Sequence, residues 1–204
     1  MSKKINIALV GLGFGAEFIP TLDEGSIVVM MYRVPGISVA ESLHGNEIIE
    51  NVLREISSAV TCDHVVASVA AGVQAATIEN LLDDGVPVVR FMPNVPVRVN
   101  HGTMVYAVGH ATSELVDAAV GTFEQLGTVV RLDERLFDAA TALSGSGPAF
   151  FGLVVEAFED AAIVAGLSAP IGRELAVTTM VGTAELLTRE GLECGELRRM
   201  VTSP

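Results

Sequence analysis

The β signal in this 204-residue chain stops at Leu132. Before that point, short β-type apolar runs at 5–10, 27–32, 64–70, 87–92, 103–108 and 128–132 alternate with segments of helical spacing. The clearest of those segments is 47–60, which puts Ile48, Ile49, Val52, Leu53 and Ile56 on one face; residues 76–82 and 113–126 read as further helices. After Leu132 every apolar pattern is helical, over 134–143, 148–165 and 170–188. A chain that switches period in this way must build a covered, mostly parallel sheet from its first part and pack helices from its second. The expected fold class is therefore α/β with an all-helical tail, divided into residues 1–133 and 134–204.

Composition sharpens this. Half of the residues are hydrophobic and only 18% are charged, which excludes a disordered chain. The longest uncharged stretch, 139–155, is interrupted by Ser144-Gly145-Ser146-Gly147-Pro148, so no run reaches the ~20 apolar residues of a spanning helix. The first residues run straight into a strand pattern with no signal peptide, and the expectation is a soluble, cytoplasmic chain. The net charge of −13 repels nucleic acid and anionic membranes. Ten of the twelve bases are arginine; a high-salt cytoplasm and a GC-rich genome both give that pattern. Cys62 and Cys194 are isolated thiols, not a disulfide framework.

The tail carries a quaternary expectation. Across 149–165 the only charges are Glu156, Glu159 and Asp160, one narrow stripe on a helix otherwise apolar all round. Three helices cannot enclose it, and a second copy of the same tail is the economical cover. Small residues at Ala176, Gly182 and Ala184 would let the next helix approach closely. A homodimer through 134–204 is expected, with higher assemblies of dimers open.

Gly11-Leu12-Gly13-Phe14-Gly15-Ala16 follows the first strand and opens a helix, the dinucleotide fingerprint Gly-x-Gly-x-x-Ala. Gly11 permits the tight turn, Gly13 lets the backbone approach a pyrophosphate, and Ala16 keeps the helix close to the sheet. A plain strand-to-helix turn uses the same residues. The acidic residue that would read a ribose about 20 residues later is missing, since 27–32 ends at Arg33. His44, His64, His101 and His110 have no carboxylate or cysteine at ligand spacing, no Gly-x-Ser-x-Gly elbow occurs, and no metal site is indicated. Hydride transfer fits such a chain because the cofactor carries the difficult step. Two loops stand out. Met92-Pro93-Asn94-Val95-Pro96 follows a strand end, where open α/β sheets bind ligands. The amides of Ser144-Gly145-Ser146-Gly147-Pro148 can hold a carboxylate or simply connect two helices.

Taken together, Val88-Val89-Arg90-Phe91-Met92-Pro93-Asn94-Val95-Pro96, Thr141-Ala142-Leu143-Ser144-Gly145-Ser146-Gly147-Pro148-Ala149 and Leu197-Arg198-Arg199-Met200-Val201-Thr202-Ser203-Pro204 resemble pyrroline-5-carboxylate reductase, as does Ser68-Val69-Ala70-Ala71-Gly72-Val73. The resemblance covers about residues 47–204. It implies a shortened Rossmann-type parallel-sheet domain followed by a helical dimerisation and substrate domain, and hydride transfer from NADPH or NADH to the imine carbon of 1-pyrroline-5-carboxylate, giving proline. By the same resemblance Met92, Pro93 and Asn94 lie beside the nicotinamide half of the cofactor. Ser144 to Pro148, with Val201, Thr202 and Ser203, would line the substrate site; no catalytic side chain is assigned. Residues 3–18 are also similar to the glucose–fructose/inositol dehydrogenase family. Against the reductase pattern, strand and helix units are missing between about 17 and 46, and the pattern runs on past Pro204. A catalytically impaired, dimeric nucleotide-binding remnant is the alternative that those gaps imply.

Overall fold

The computed structural model describes residues 6–12, 27–31 and 49–202. Six strands form one sheet: β1 (Asn6–Leu12), β2 (Ile27–Met31), β3 (His64–Ser68), β4 (Val88–Met92), β5 (Gly102–Val108) and β6 (Gly127–Arg131). Their order is β2-β1-β3-β4-β5-β6. All neighbours are parallel except β4 and β5, which are antiparallel. Only a 3-10 turn, Val95–Val99, separates those two strands. That connection is too short for the crossover a parallel pair requires, so the chain must double back.

Side chains alternate cleanly across β3, β4 and β5. On one face Val66 and Val88 pack with Ile49 and Leu53 of α1 (residues 49–56) and with Ala75 and Ile78 of α2 (Ala75–Glu79). Of the helical face read from the sequence, Ile49 and Leu53 are wholly enclosed and Val52 and Ile56 half-buried, while Ile48 lies outside the described residues. On the other face Val65, Ala67, Val89, Phe91 and Met104 meet α3 (Ser113–Phe123). Phe91 stacks on Phe123 with ring centroids 4.0 Å apart and on Tyr106 at 5.8 Å. A sheet covered on both faces accounts for the near-continuous apolar composition of β3 and β4.

The described residues fall into two compact units, Met1–Gly147 and Pro148–Pro204. Residues 134–147, which their period groups with the helical tail, pack within the first unit. There Phe137, at the start of α4 (Phe137–Ala140), joins Val105 and Ala107 in a third small cluster. In the second unit lies the body of α5 (Gly147–Val164), which ends at Gly166, φ +92°, where Leu167 N–H closes back onto the Ala162 carbonyl at 2.9 Å. α6 (Ala169–Arg189) opens with proline in its first turn. It packs on α5 through Gly172, where a Cβ would crowd that of Ala162, and through the Arg173–Glu159 ion pair at 3.3 Å. Of the small residues expected to allow close approach, Ala176 is buried, whereas Ala184 is exposed and Gly182 faces open space. A last helix, α7 (Cys194–Val201), was not evident from the apolar pattern; eight residues give too few turns for a periodic signal. Cys62 and Cys194 are both free and exposed. Among the described residues no helix is long and apolar enough to cross a membrane.

One glycine pair sets how closely β5 and β6 begin. Gly102 is in register with Gly127, whose φ of 142° suits glycine alone, and a Cβ on Gly127 would meet the Gly102 backbone. Gly127→Ala is expected to lower unfolding free energy by about 1–3 kcal/mol from backbone strain alone. Urea denaturation of the two proteins measures this.

Candidate functional site

From β1 the sheet continues to β2 on one side, and the chain then returns to β3 on the other side of β1. This reversal makes the carboxyl ends of β1 and β3 a topological switch point, where open α/β sheets take their ligands. β1 extends through Gly11 and Leu12, paired with Met30 and Met31, so the first glycine of the fingerprint lies in the strand rather than in the turn. Gly13, Phe14, Gly15 and Ala16 lie outside the described residues, as does Ser203. At the end of β3, Ser68 is fully buried and its hydroxyl accepts from the Ala70 N–H at 3.3 Å, bending the chain away. Gly72 follows with φ +78°, and among the described residues no atom lies within 4 Å of a Cβ built on it. Small residues, Ser68, Ala70 and Gly72, thus lie at and just past the end of β3 at this switch point.

The end of β4 is one strand further along. Met92 turns its side chain inward, against the Val105–Ala107–Phe137 cluster, which leaves the backbone of Met92 and Pro93 at the strand end. Asn94 reaches across 50 residues of sequence: its Nδ2 donates to the Ser144 carbonyl at 3.0 Å, while its Oδ1 accepts from the Thr103 N–H at 2.8 Å. The two loops singled out in the sequence are therefore bonded to each other.

Around Ser144 the helix widens. Thr141–Gly145 is π-helical, with Ser146 N–H donating to the Thr141 carbonyl at 2.9 Å and the Ser144 hydroxyl to the Ala140 carbonyl at 2.9 Å. The Ser146 amide is thus spent inside the protein. α5 follows this turn after Ser146 alone, and Pro148 in its first turn has no N–H to offer. Val201 ends α7 and Thr202 follows it, its hydroxyl donating to the Arg198 carbonyl at 2.7 Å. Both belong to the second unit.

Two residues that carry the site's support were not singled out in the sequence. Arg90 lies in the middle of β4 and is almost fully buried. Its Nη1 donates to Glu134 Oε1 at 2.6 Å, and its guanidinium lies 4.9 Å from the centre of the Phe137 ring. The same Glu134 oxygen accepts from Ala75 N–H at 3.0 Å, at the start of α2. One carboxylate thus ties β4, α2 and the segment that leads to Ser144. A charged residue within an otherwise apolar run that ends in the Met92–Pro96 loop was the available signal. His64 and His110 have structural partners: the His64 Nδ1 accepts from Thr61 N–H at 3.1 Å, and His110 pairs with Glu79 at 2.9 Å.

Removing Glu134 would leave a buried, unpaired guanidinium. Glu134→Ala is expected to cost about 3 kcal/mol, the low end for a buried pair because Glu134 keeps 24% of its side chain in water. The double variant Arg90→Met/Glu134→Leu should recover most of that loss, as chemical denaturation of the three proteins will show.

Comparison with known proteins places this geometry. Residues 134–204 match the family profile described as pyrroline-5-carboxylate reductase dimerisation. The chain is 41% identical over 157 residues to the pyrroline-5-carboxylate reductase of Methanosarcina acetivorans, covering 76% of this chain and 58% of that one. It is 37% identical over 187 residues to pyrroline-5-carboxylate reductase 3 of Danio rerio, covering 85% of this chain and 65% of that one. The chain thus spans less than two thirds of these relatives' length. Among solved structures, a pyrroline-5-carboxylate reductase from Coxiella burnetii superposes with a TM-score of 0.75 at 23% identity, over 98% of this chain and 86% of that one. The Plasmodium falciparum pyrroline carboxylate reductase with NADP bound gives 0.73 at 22%, over 97% and 85%. These two establish the fold.

Proposed function

Because the chain is related to the pyrroline-5-carboxylate reductases over 76% of its length, we propose that it reduces 1-pyrroline-5-carboxylate to proline at the expense of NADPH or NADH. The observation that carries this reading is the Asn94–Ser144 bond, which joins a loop at the ligand-binding edge of the sheet to the loop that leads into α5. On this reading residues 1–133 bind the dinucleotide and 134–204 supply dimerisation and substrate contacts. Gly11 to Ala16 hold the pyrophosphate, and the backbone of Met92 to Asn94 flanks the nicotinamide end. Bound there, the cofactor supplies the hydride that the imine carbon accepts.

The chain's own part is orientation and charge. The substrate carries a carboxylate in a protein of net charge −13, so local donors must overcome the general repulsion. The amides of Gly147 and Ala149 at the positive end of α5 are such donors, and Ser144, Gly145, Ser146 and Pro148 shape the cradle around them. Val201, Thr202 and Ser203 complete the substrate contacts on this reading. The same acidity supports work on small molecules in the cytoplasm rather than on nucleic acid.

Dimer formation is part of the proposal. In the single chain, α5 leaves Phe150, Phe151, Leu153 and Phe158 between 57% and 64% exposed. Burying a side chain of this size gains roughly 1.5–3 kcal/mol, so a second copy of the helical part is strongly favoured as cover. Light scattering is expected to report a dimer or a larger assembly of dimers at micromolar concentration, and Phe151→Glu is expected to shift it toward monomer. A wild-type monomer would refute the assembly.

Turnover tests the reaction. The full chain should oxidise NADPH or NADH when 1-pyrroline-5-carboxylate is supplied, and Gly13→Glu should lose at least about tenfold in kcat/KM by placing a carboxylate at the pyrophosphate. Equal turnover by the variant would sink the cofactor site. No turnover by wild type would instead identify a dimeric nucleotide-binding remnant.

A further inference from the structure

We propose that Asn94 is a positioning residue, whose amide holds the π-helical turn Thr141–Gly145 in the winding that presents Gly145 to Gly147 to the substrate. The inference rests on the reading of that loop as the substrate's cradle. The residue pattern alone assigns Asn94 to the cofactor; its hydrogen bonds give the side chain a different task.

Both polar ends of the amide are engaged within the protein. Oδ1 takes the Thr103 N–H at 2.8 Å and Nδ2 gives to the Ser144 carbonyl at 3.0 Å. The orientation is fixed by chemistry: a flipped amide would set donor against donor and acceptor against acceptor. The backbone that carries this side chain is itself anchored. It follows β4 directly, and Thr103 belongs to β5, so the donor reaches Ser144 from two paired strands.

What it holds is an uncommon conformation. π-helical turns are rare and occur mostly as single turns within α-helices, frequently at functional sites. Within the turn, the Ser146 N–H to Thr141 bond and the Ser144 hydroxyl to Ala140 bond are local. The Asn94 bond to the Ser144 carbonyl comes from elsewhere in the fold. Without that donor, 141–145 can rewind toward α geometry. Such rewinding takes up the extra residue of the wide turn and rotates Gly145 and Ser146 about the helix axis relative to α5. Substrate binding then suffers and the dinucleotide crevice at β1 and β3 does not.

Asn94→Asp tests this: it keeps the acceptor for Thr103 and removes the donor to Ser144. We expect amide hydrogen exchange over 141–147 in the free protein to accelerate at least tenfold, NADPH affinity by fluorescence titration to stay within twofold, and KM for 1-pyrroline-5-carboxylate to rise at least tenfold. Asn94→Ala should show the same pattern with a larger loss of thermal stability. A weakened NADPH affinity with unchanged exchange and KM would overturn the proposal and make Asn94 a cofactor ligand. A lower melting temperature with KM, kcat and exchange unchanged would also overturn it, leaving a merely structural residue. If wild type proves inactive, the reductase reading falls separately. The exchange experiment then decides the brace: faster exchange in Asn94→Asp upholds it and equal exchange refutes it.

Discussion

The structure around the site depends on one buried ion pair. Arg90 enters the core because β4 is an interior strand and its even-numbered side chains all face the same layer, where Val88 and Met92 are apolar. A guanidinium there has to be neutralised, and Glu134 is the carboxylate that does so. The pair does more than cancel charge. By accepting from Ala75 N–H as well, Glu134 takes one of the orphan amides at the start of α2. Phe137, three residues on, lies against the guanidinium. An apolar pair would fill the same space but would not select one register for residues 134–137. The ion pair does, and Ser144 is placed by the chain that follows.

Much of this architecture was legible because sheets and helices advertise themselves locally. Each strand of the first part was visible as an apolar run within two residues of its limits. The buried face of α1 was visible through Ile49 and Leu53, which recur at helical spacing. What stayed hidden was set by distance or by brevity. The antiparallel return of β5 follows from the short gap between the runs at 87–92 and 103–108, which a reading by period alone does not use. α7 is too short to show a period. The Arg90–Glu134 and Asn94–Ser144 bonds join residues 44 and 50 positions apart, and no local spacing encodes them.

The helical part shows the opposite relation. Its sequence reads as buried on nearly every side, yet in a single chain Leu153 and Phe151 stay more than half exposed. Burial written into a sequence need not be satisfied within one chain. Close contact between α5 and α6 falls at Gly172 and Ala176 rather than further along α6, because the short Gly166 turn brings the helices together at its own end. Further along α6, no described atom lies within 4 Å of a Cβ built on Gly182.

These features explain how a site with no assigned catalytic side chain can still be specific. On the proposed reading a cofactor supplies the hydride and the protein contributes geometry: a carboxylate held at one place and an imine carbon at another. Geometry of that kind has to be rigid at the scale of a few tenths of an ångström. Here the loops that would set it are fixed to the same interior strand at two points: Arg90 within it through Glu134, and Asn94 two residues beyond its end through Ser144. A loop fixed at one end can pivot, whereas one fixed at both ends of an eleven-residue segment cannot. The wide turn at 141–145 lies between those anchors and the start of α5, where on the proposed reading the substrate's carboxylate is held.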